Sequence, residues 1–515
     1  MSKPYLLGTD IGTQGTKTVV VSSEGKILGY ALEVYELSQP KPLWAEQCPK
    51  VWEEATYKSI RKSLKQAEVD PKEVAAICIS GLYGGSGIPV DKELKPLRPC
   101  LIWMDRRAID EVEWIKEEID LDEVFRITGN YVDTYFGYPK ILWIKNKEPE
   151  IWDKIYKFIP PSSYIEYKLT RELAVDYSSA GNLGGVFDIH NLEWSTELCK
   201  KLGIPREMMP DSLVKSEEVI GEITTEAAEK CGLQKGTPVV AGGIDAAMAS
   251  LSSGAFEEGD NVAMMGTSTC WGVIHKGENL SRKLVSMPHV ANSTEEIYSW
   301  GGSATSGALA RWFRDQFCKP EVEAGEKVCM DPFKLLDMQA EKIPPGSEGL
   351  VVLPYFMGER SPIWDPEARG TIVGLTLYHK KAHLFRALME AAAYSLRHNM
   401  EVGDEIGLPV KKECCVVGGV SKSKIWTKIL ADVTGRQMVV PSGGVGAPLG
   451  DALIAGIGVG IFDSYDVIKN WTSRDRVDKP NPGNQAIYDK YYKIYRKLYE
   501  DIKEDMHNLS KIKGD

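Results

Sequence analysis

Within the run Asp10-Ile11-Gly12-Thr13-Gln14-Gly15-Thr16-Lys17 stand a carboxylate, two glycines, two threonine hydroxyls and a lysine. Glycines at positions 12 and 15 let a backbone approach a ligand closely, and the turn's N–H groups, with the Thr13 and Thr16 hydroxyls and Gln14 between them, could hold phosphate oxygens. Asp10 could position a hydrated Mg²⁺, an ion that favours one or two carboxylates plus substrate phosphates, and Lys17 could add a point charge. The spacing is not the G-x-x-x-x-G-K-S/T of a P-loop, and the plain alternative is a hairpin whose aspartate caps the turn. Gly266-Thr267-Ser268 repeats the arrangement, and two glycine–threonine hairpins facing one cleft would bracket a polyphosphate. A third element is Cys414-Cys415-Val416-Val417-Gly418-Gly419, followed by Val420-Ser421-Lys422-Ser423 and a helix marked by Ile425, Ile429 and Val433. A buried strand that ends in Gly-Gly and feeds a helix leaves outward-pointing N–H groups and room for a base or ribose, although tight strand–helix packing would use the same residues. Asp245 follows the apolar run Val239–Ala241 and Gly242-Gly243-Ile244 and leads a run of small residues. It is either an N-cap or a general base at a cleft, because deprotonating a hydroxyl during phosphoryl transfer needs one positioned carboxylate.

The elements that must carry these residues alternate. Tyr5 to Lys17 and then Thr18–Ser22 read as a strand, a Gly/Thr-rich turn and a β-branched strand. Asn261–Met265, the turn through Thr269 and Trp271–His275 repeat that unit about 250 residues later, which points to two related halves. Apolar runs at Val74–Ile79, Pro238–Ala241, Leu350–Leu353 and Cys414–Val417 read as buried strands. Helical stripes of core-packing residues run through Ile109, Val112, Ile115 and Ile119, through Phe385, Leu388, Ala392 and Leu396, and through Ile487, Tyr491, Ile494, Leu498 and Ile502. Strands alternating with helices indicate α/β domains. The first half ends near Ser253-Gly254, giving domains 1–253 and 254–515, and with no Ser/Gly- or Pro-rich linker between them the halves are expected to pack around a cleft.

Composition narrows the function. The 515 residues are 43% hydrophobic and 26% charged, ordinary for a globular chain of two to four domains and unlike a fibrous or disordered one. A net charge of −11 argues against general affinity for nucleic acid or for an anionic membrane, and leaves a small anionic ligand open. No apolar stretch reaches the length of a membrane span; Ala452–Phe462 comes nearest and carries three glycines. Asp10 would interrupt the apolar core of a secretory signal. Ten cysteines without a C-x-x-C pair, and a Cys414-Cys415 pair that reads as buried thiols, fit a reducing, cytoplasmic compartment.

Taken in order along nearly the whole chain, these motifs resemble the FGGY family of carbohydrate kinases. Asp10-Ile11-Gly12-Thr13 is similar to that family's first phosphate motif and Gly266-Thr267 to its second. Trp44-Ala45-Glu46-Gln47 with Pro49 and Trp52 is similar to its early Trp-Glu-Gln-Asp-Pro segment, with Cys48 in place of the aspartate. Trp103-Met104-Asp105-Arg106-Arg107 resembles the Trp-x-Asp-x-Arg stretch beside the sugar, Gly243-Ile244-Asp245 the catalytic-base motif, and Gly418-Gly419-Val420-Ser421 the adenosine motif. The run from Pro354 to Pro362, with Asp365-Pro366 and Ala368-Arg369-Gly370, is the most distinctive match. The resemblance implies two actin-like, ribonuclease-H-like domains flanking a cleft that holds ATP, with Gly307 near the nucleotide. It implies that Asp245 takes the proton from a sugar or polyol hydroxyl, that the γ-phosphoryl moves in line to that oxygen, and that Asp10 organises Mg²⁺ through water. Trp103 and Asp105 would then face the acceptor, Asp105 as a hydroxyl acceptor; closure of the domains would exclude water, and a homodimer would be in keeping with the family.

The acceptor itself is less constrained. The chain is most similar to the xylulokinase-like branch, which places Gln-Met-His-Gly after its corresponding strand. Here the run is Gly81-Leu82-Tyr83-Gly84-Gly85-Ser86-Gly87, without histidine and without the Arg-Glu pair of glycerol kinases, so Tyr83 becomes the candidate pocket residue. Ser162-Ser163-Tyr164 also departs from a frequent Lys-Asp-Tyr. The resemblance implies a pentulose such as xylulose or ribulose and leaves a glycerol- or erythritol-type polyol as the alternative. A reading from a different class is an actin-like ATPase with no sugar acceptor, since the superfold alone would permit it.

Overall fold

The computed structural model describes residues 4–442 and 446–512, and these residues fall into two compact units. The first comprises residues 4–256, 274–299 and 446–473, and the second 257–273, 300–442 and 474–512. The expected division at 253/254 lies close to the first crossover between units, but the stretches 274–299 and 446–473 pack with the N-terminal one.

The strands that frame the first unit are β1 (Tyr5–Ile11), β2 (Gly15–Ser22), β3 (Ile27–Val34), β4 (Val74–Gly81), β5 (Val219–Glu222) and β6 (Pro238–Ile244). In the second they are β7 (Asn261–Met265), β8 (Thr269–His275), β9 (Glu413–Val417), β10 (Gln437–Pro441) and β11 (Arg474–Asp478). The helices used below are α1 (Pro49–Ala67), α2 (Pro161–Thr170), α3 (Tyr177–Leu183), α4 (Asp245–Ser252), α5 (Gly307–Phe317), α6 (Lys381–Glu405), α7 (Lys424–Thr434), α8 (Ala447–Gly458) and α9 (Pro482–Lys511).

In the first unit the strand order is β5-β6-β4-β1-β2-β3, with β6, β4 and β1 parallel and β1-β2-β3 antiparallel. Alternation along β1 sends Leu7 and Ile11 into a core shared with Trp52, Ile60 and Leu64 of α1 and Ile165 and Leu169 of α2. The opposite face is covered by α8, which lies so close that a Cβ on Gly8 would sit 1.8 Å from the Pro448 carbonyl oxygen. Only a residue without a side chain permits that approach. In the second unit β10, β9 and β7 are parallel and β7 pairs antiparallel with β8. Two parallel pairings followed by an antiparallel hairpin occur in both units. The repeat read from the two glycine–threonine hairpins is therefore structural, and the α/β class with two actin-like domains is the observed one.

Local readings need two adjustments. Along α9 the buried stripe is Tyr488, Tyr492, Tyr495, Tyr499 and Met506, whereas Ile487 and Ile494 are exposed. The apolar spacing selected the wrong face because tyrosine rings, with hydroxyls bonded to Arg386, Glu401, Tyr355 and Asp365, do the packing. In the helix Ile109–Glu118, Val112 and Ile115 are buried but Ile109 is exposed. All ten cysteines are unpaired. Among the described residues no helix is long and apolar enough to cross a membrane.

Candidate active site

In the first unit, the parallel strands β1, β4 and β6 end together, and residues at the carboxyl ends of such strands face the usual ligand position of an open α/β sheet. Asp10 pairs in register with Lys17 across the β1–β2 hairpin and with Ser80 on β4, and Ser80 in turn pairs with Gly243 on β6. Two residues past Gly243, Asp245 opens α4, its Oδ1 accepting the Ala246 N–H at 2.7 Å. The sheet thus brings the predicted metal-binding and base carboxylates into one neighbourhood.

Electrostatics there are severe. Burial, with Asp10 as a secondary contributor, pushes the Asp245 carboxyl up to about 7. Burial likewise raises Asp10, against the pull of the Lys17 ammonium, whose Nζ donates to Oδ2 at 3.2 Å. The Lys17 ammonium is stabilised chiefly by Asp10 and, more weakly, by Asp245. Asp10 Oδ1 is buried with no hydrogen-bond partner among the described residues.

A third carboxyl belongs to the same neighbourhood and escaped the sequence reading. Asp451, on α8, is fully buried; Ser80 Oγ donates to its Oδ2 at 2.8 Å, and its Oδ1 has no partner among the described residues. Burial raises its pKa well above the usual carboxylate range, with Asp10 and Asp245 adding to the effect. The available signal was an aspartate inside the otherwise apolar, small-residue run Gly450-Asp451-Ala452-Leu453-Ile454.

The hairpin tip divides its predicted ligands. Gly12 N–H donates to the Gly15 carbonyl at 3.0 Å, closing the turn, and Gln14 is exposed. The Thr13 hydroxyl accepts from Trp103 Nε1 at 3.0 Å. Thr16 is fully buried, with its hydroxyl 3.3 Å from that of Tyr35, so it shapes the turn from behind.

Of the acceptor-side residues, Tyr83 is buried in the glycine-rich loop after β4, and Leu82 N–H bonds to the Ile11 carbonyl at 2.9 Å, tying that loop to the end of β1. Asp105 is fully buried, and its oxygens accept from the Ala45 amide (2.7 Å) and from the Arg107 amide and Nε. Its carboxylate therefore anchors Arg107, which also bonds to Glu46 at 3.0 Å and stacks 3.6 Å from the Trp44 ring. Lys140 is another residue the sequence reading missed. It is fully buried, and its ammonium donates to the carbonyls of Gly84, Thr134, Tyr135 and Phe136, which staples the Tyr83 loop to the segment before its own helix. Burial pulls its pKa down to about 7.

In the second unit the predicted nucleotide residues also converge. Gly266 and Thr267 form the exposed tip of the β7–β8 hairpin. Gly307 N–H donates to the Gly266 carbonyl at 2.9 Å and Ala308 N–H to that of Thr267 at 3.1 Å, so the N-terminus of α5 abuts the tip. Gly418, at φ +95°, lies against the same tip: a Cβ there would be 2.6 Å from the Met265 carbonyl oxygen. Gly419 is exposed beside it. Ser423 is committed to capping α7, accepting the Trp426 N–H at 3.2 Å.

Comparison with known proteins follows the same division. Residues 5–252 match the family model described as the FGGY family of carbohydrate kinases, N-terminal domain, and residues 261–459 match its C-terminal counterpart. The chain is 29% identical over 504 residues to a xylulose kinase of Bacillus subtilis, with 97% of each chain covered. It is 31% identical over 476 residues to a gluconokinase of the same organism, with 90% of each covered. Its structure is similar to that of a xylulose kinase from Rhodospirillum rubrum, with a TM-score of 0.88 at 29% identity, covering 98% of this chain and 100% of the other.

Proposed function

This chain belongs to the FGGY family of carbohydrate kinases, and on that premise we propose that it transfers the γ-phosphoryl group of ATP to a hydroxyl of a small uncharged sugar, a pentulose such as xylulose or ribulose, with Asp245 as general base. The observation that carries the reading is the Asp245 carboxyl itself, set at the start of α4 beside Asp10 and poised by burial near neutral pH. A base whose pKa lies near the working pH combines a useful deprotonated fraction with a useful driving force for taking a proton. The acceptor hydroxyl gives its proton to Asp245, its oxygen bonds to the γ-phosphorus, and the bond to the bridging oxygen breaks to release ADP. Lys17, paired with Asp10, adds positive charge on the same side. The buried Oδ1 of Asp10, without a hydrogen-bond partner among the described residues, fits a hydrated Mg²⁺, which when bound would neutralise phosphate charge. Within the second unit, the turn Gly266-Thr267 gathers with Gly307, Gly418 and Gly419 into one glycine-rich surface that suits close approach of a nucleotide.

An uncharged acceptor is favoured by the cations around the Tyr83 and Trp103 segments. Arg106 is paired with Asp133 at 2.6 Å, Arg107 with Asp105 and Glu46, and Lys140 is surrounded by carbonyls. A sugar acid would have to draw one of these from its partner. Relatives named for xylulose and for gluconate make the choice an experimental one. A coupled ADP assay over ketopentoses, ketohexoses, D-gluconate, glycerol and four- and five-carbon alditols decides it. Stimulation by a ketopentose and not by gluconate is expected, and gluconate as the best acceptor would overturn the uncharged-acceptor reading. Asp245→Asn should lower acceptor-dependent turnover by about 10²–10⁴-fold with nucleotide binding retained.

A further inference from the structure

The backbone that delivers Asp245 is irregular. The pairing of β6 with β4 slips between Val240 and Gly243, and Gly242 at φ +70° turns its amide out of the sheet to the Ser216 carbonyl, at 2.9 Å. The chain must leave this bulge and start α4 within two residues. Ile244 occupies the N-cap position of α4, where a polar side chain would normally take up backbone amides, and isoleucine has none to offer. Its own amide is taken by a residue from elsewhere in the sequence: Ile244 N–H donates to Ser178 Oγ at 3.0 Å. Ser178 is fully buried, and its hydroxyl donates to Asp176 Oδ1. Asp176 is itself fixed as the N-cap of α3, accepting the Ser179 N–H at 2.9 Å. The contact is close enough to dictate the facing residue. A Cβ on Gly243 would lie 2.7 Å from Ser178 Oγ and 3.2 Å from Asp176 Oδ1, so the hydroxyl occupies the space a side chain would take.

We propose that Ser178, oriented by Asp176, is a positioning residue for phosphoryl transfer: by accepting the Ile244 amide it fixes the turn that aims the Asp245 carboxylate. The proposal rests on the reading of Asp245 as general base. A positioned base loses rate steeply with small displacements, so Ser178 acts on kcat through Asp245 and leaves nucleotide binding alone.

Ser178→Ala tests this. With D-xylulose, D-ribulose, D-gluconate and glycerol supplied together, kcat is expected to fall about 10–100-fold while KM for ATP stays within about twofold. The double variant Ser178→Ala/Asp245→Asn should turn over no more slowly than Asp245→Asn, because two residues acting through one group are not additive. A further loss in the double variant equal to that in the single one would overturn the proposal, as would wild-type kcat in Ser178→Ala. Amide hydrogen exchange supplies a readout that needs no acceptor. The peptide spanning residues 239–248 should exchange faster in Ser178→Ala, and unchanged exchange would also overturn the proposal. Failure of the base reading is separate: it would appear as wild-type turnover in Asp245→Asn, whatever Ser178→Ala does.

Discussion

At the scale of single residues, Asp245 connects burial to chemistry. Its carboxyl is raised to about 7 because desolvation and the neighbouring Asp10 disfavour its charged form. If Asp245 is the general base proposed above, only its deprotonated form is active, so kcat should fall as pH drops below about 7, by about tenfold per unit at the acid extreme, in a pH–rate profile at saturating acceptor. The same shift bears on stability with the opposite sense. A carboxyl whose folded pKa lies above its unfolded value favours folding when protonated, and that contribution is lost as pH rises from about 4 through about 7. At pH 8 the wild type therefore carries an unfavourable, partly desolvated charge that Asp245→Asn lacks. The variant should lose turnover and gain about 1–3 °C in thermal midpoint, read by calorimetry. Asp10, Asp245 and the glycine–threonine turns could be singled out in sequence because their own type and local spacing suggest a chemistry. Asp451, Lys140 and Ser178 were not legible because their meaning lies in distant partners: Ser80 is 371 positions from Asp451, Gly84 is 56 from Lys140, and Ile244 is 66 from Ser178.

At the scale of elements, the strands were read best and the faces of helices least well. Buried strands announce themselves as short apolar runs, and β4, β6 and β9 lie where such runs predicted, extended by one to three residues at some ends, while β7 lies where the repeated hairpin unit placed it. Helix α9 shows the limit of apolar spacing, since its inner stripe is aromatic and hydroxylated. A capping deficit is visible at α1. Cys48 holds the N-cap position with extended backbone, φ −74° and ψ 124°, and its side chain makes no capping hydrogen bond. Cys48→Asp restores an acceptor for the first-turn amides and places negative charge at the positive end of the helix dipole. It should stabilise the protein by about 1 kcal/mol in denaturant unfolding, with turnover unchanged. A destabilised variant would mean that the first turn of α1 is already satisfied by other groups.

At the scale of the molecule, the first unit is not a contiguous stretch of chain. Helix α8, from residues 447–458, covers β1 and β4 and brings Asp451 to Ser80, while residues 257–273 and 300–442 between them build the other unit. A fragment of residues 1–256 would expose the β1–β4 face that α8 buries, including the Gly8 contact. Produced alone it should lack a cooperative unfolding transition, whereas a fusion of 1–256 to 274–299 and 446–473 through short linkers should regain one. Domain limits read from sequence alone follow the chain linearly, and nothing in composition marks a late helix as belonging to an early sheet. The order of manufacture inherits this geometry. As the polypeptide leaves the ribosome, the Asp10 hairpin emerges first, yet its covering helix is translated some 440 residues later. The strands bearing Asp10 must wait, unshielded, for the tail end of synthesis. Stalled nascent chains ending at residue 442 should thus remain open to protease within β1 and β4, and chains extended beyond the exit tunnel past residue 458 should not.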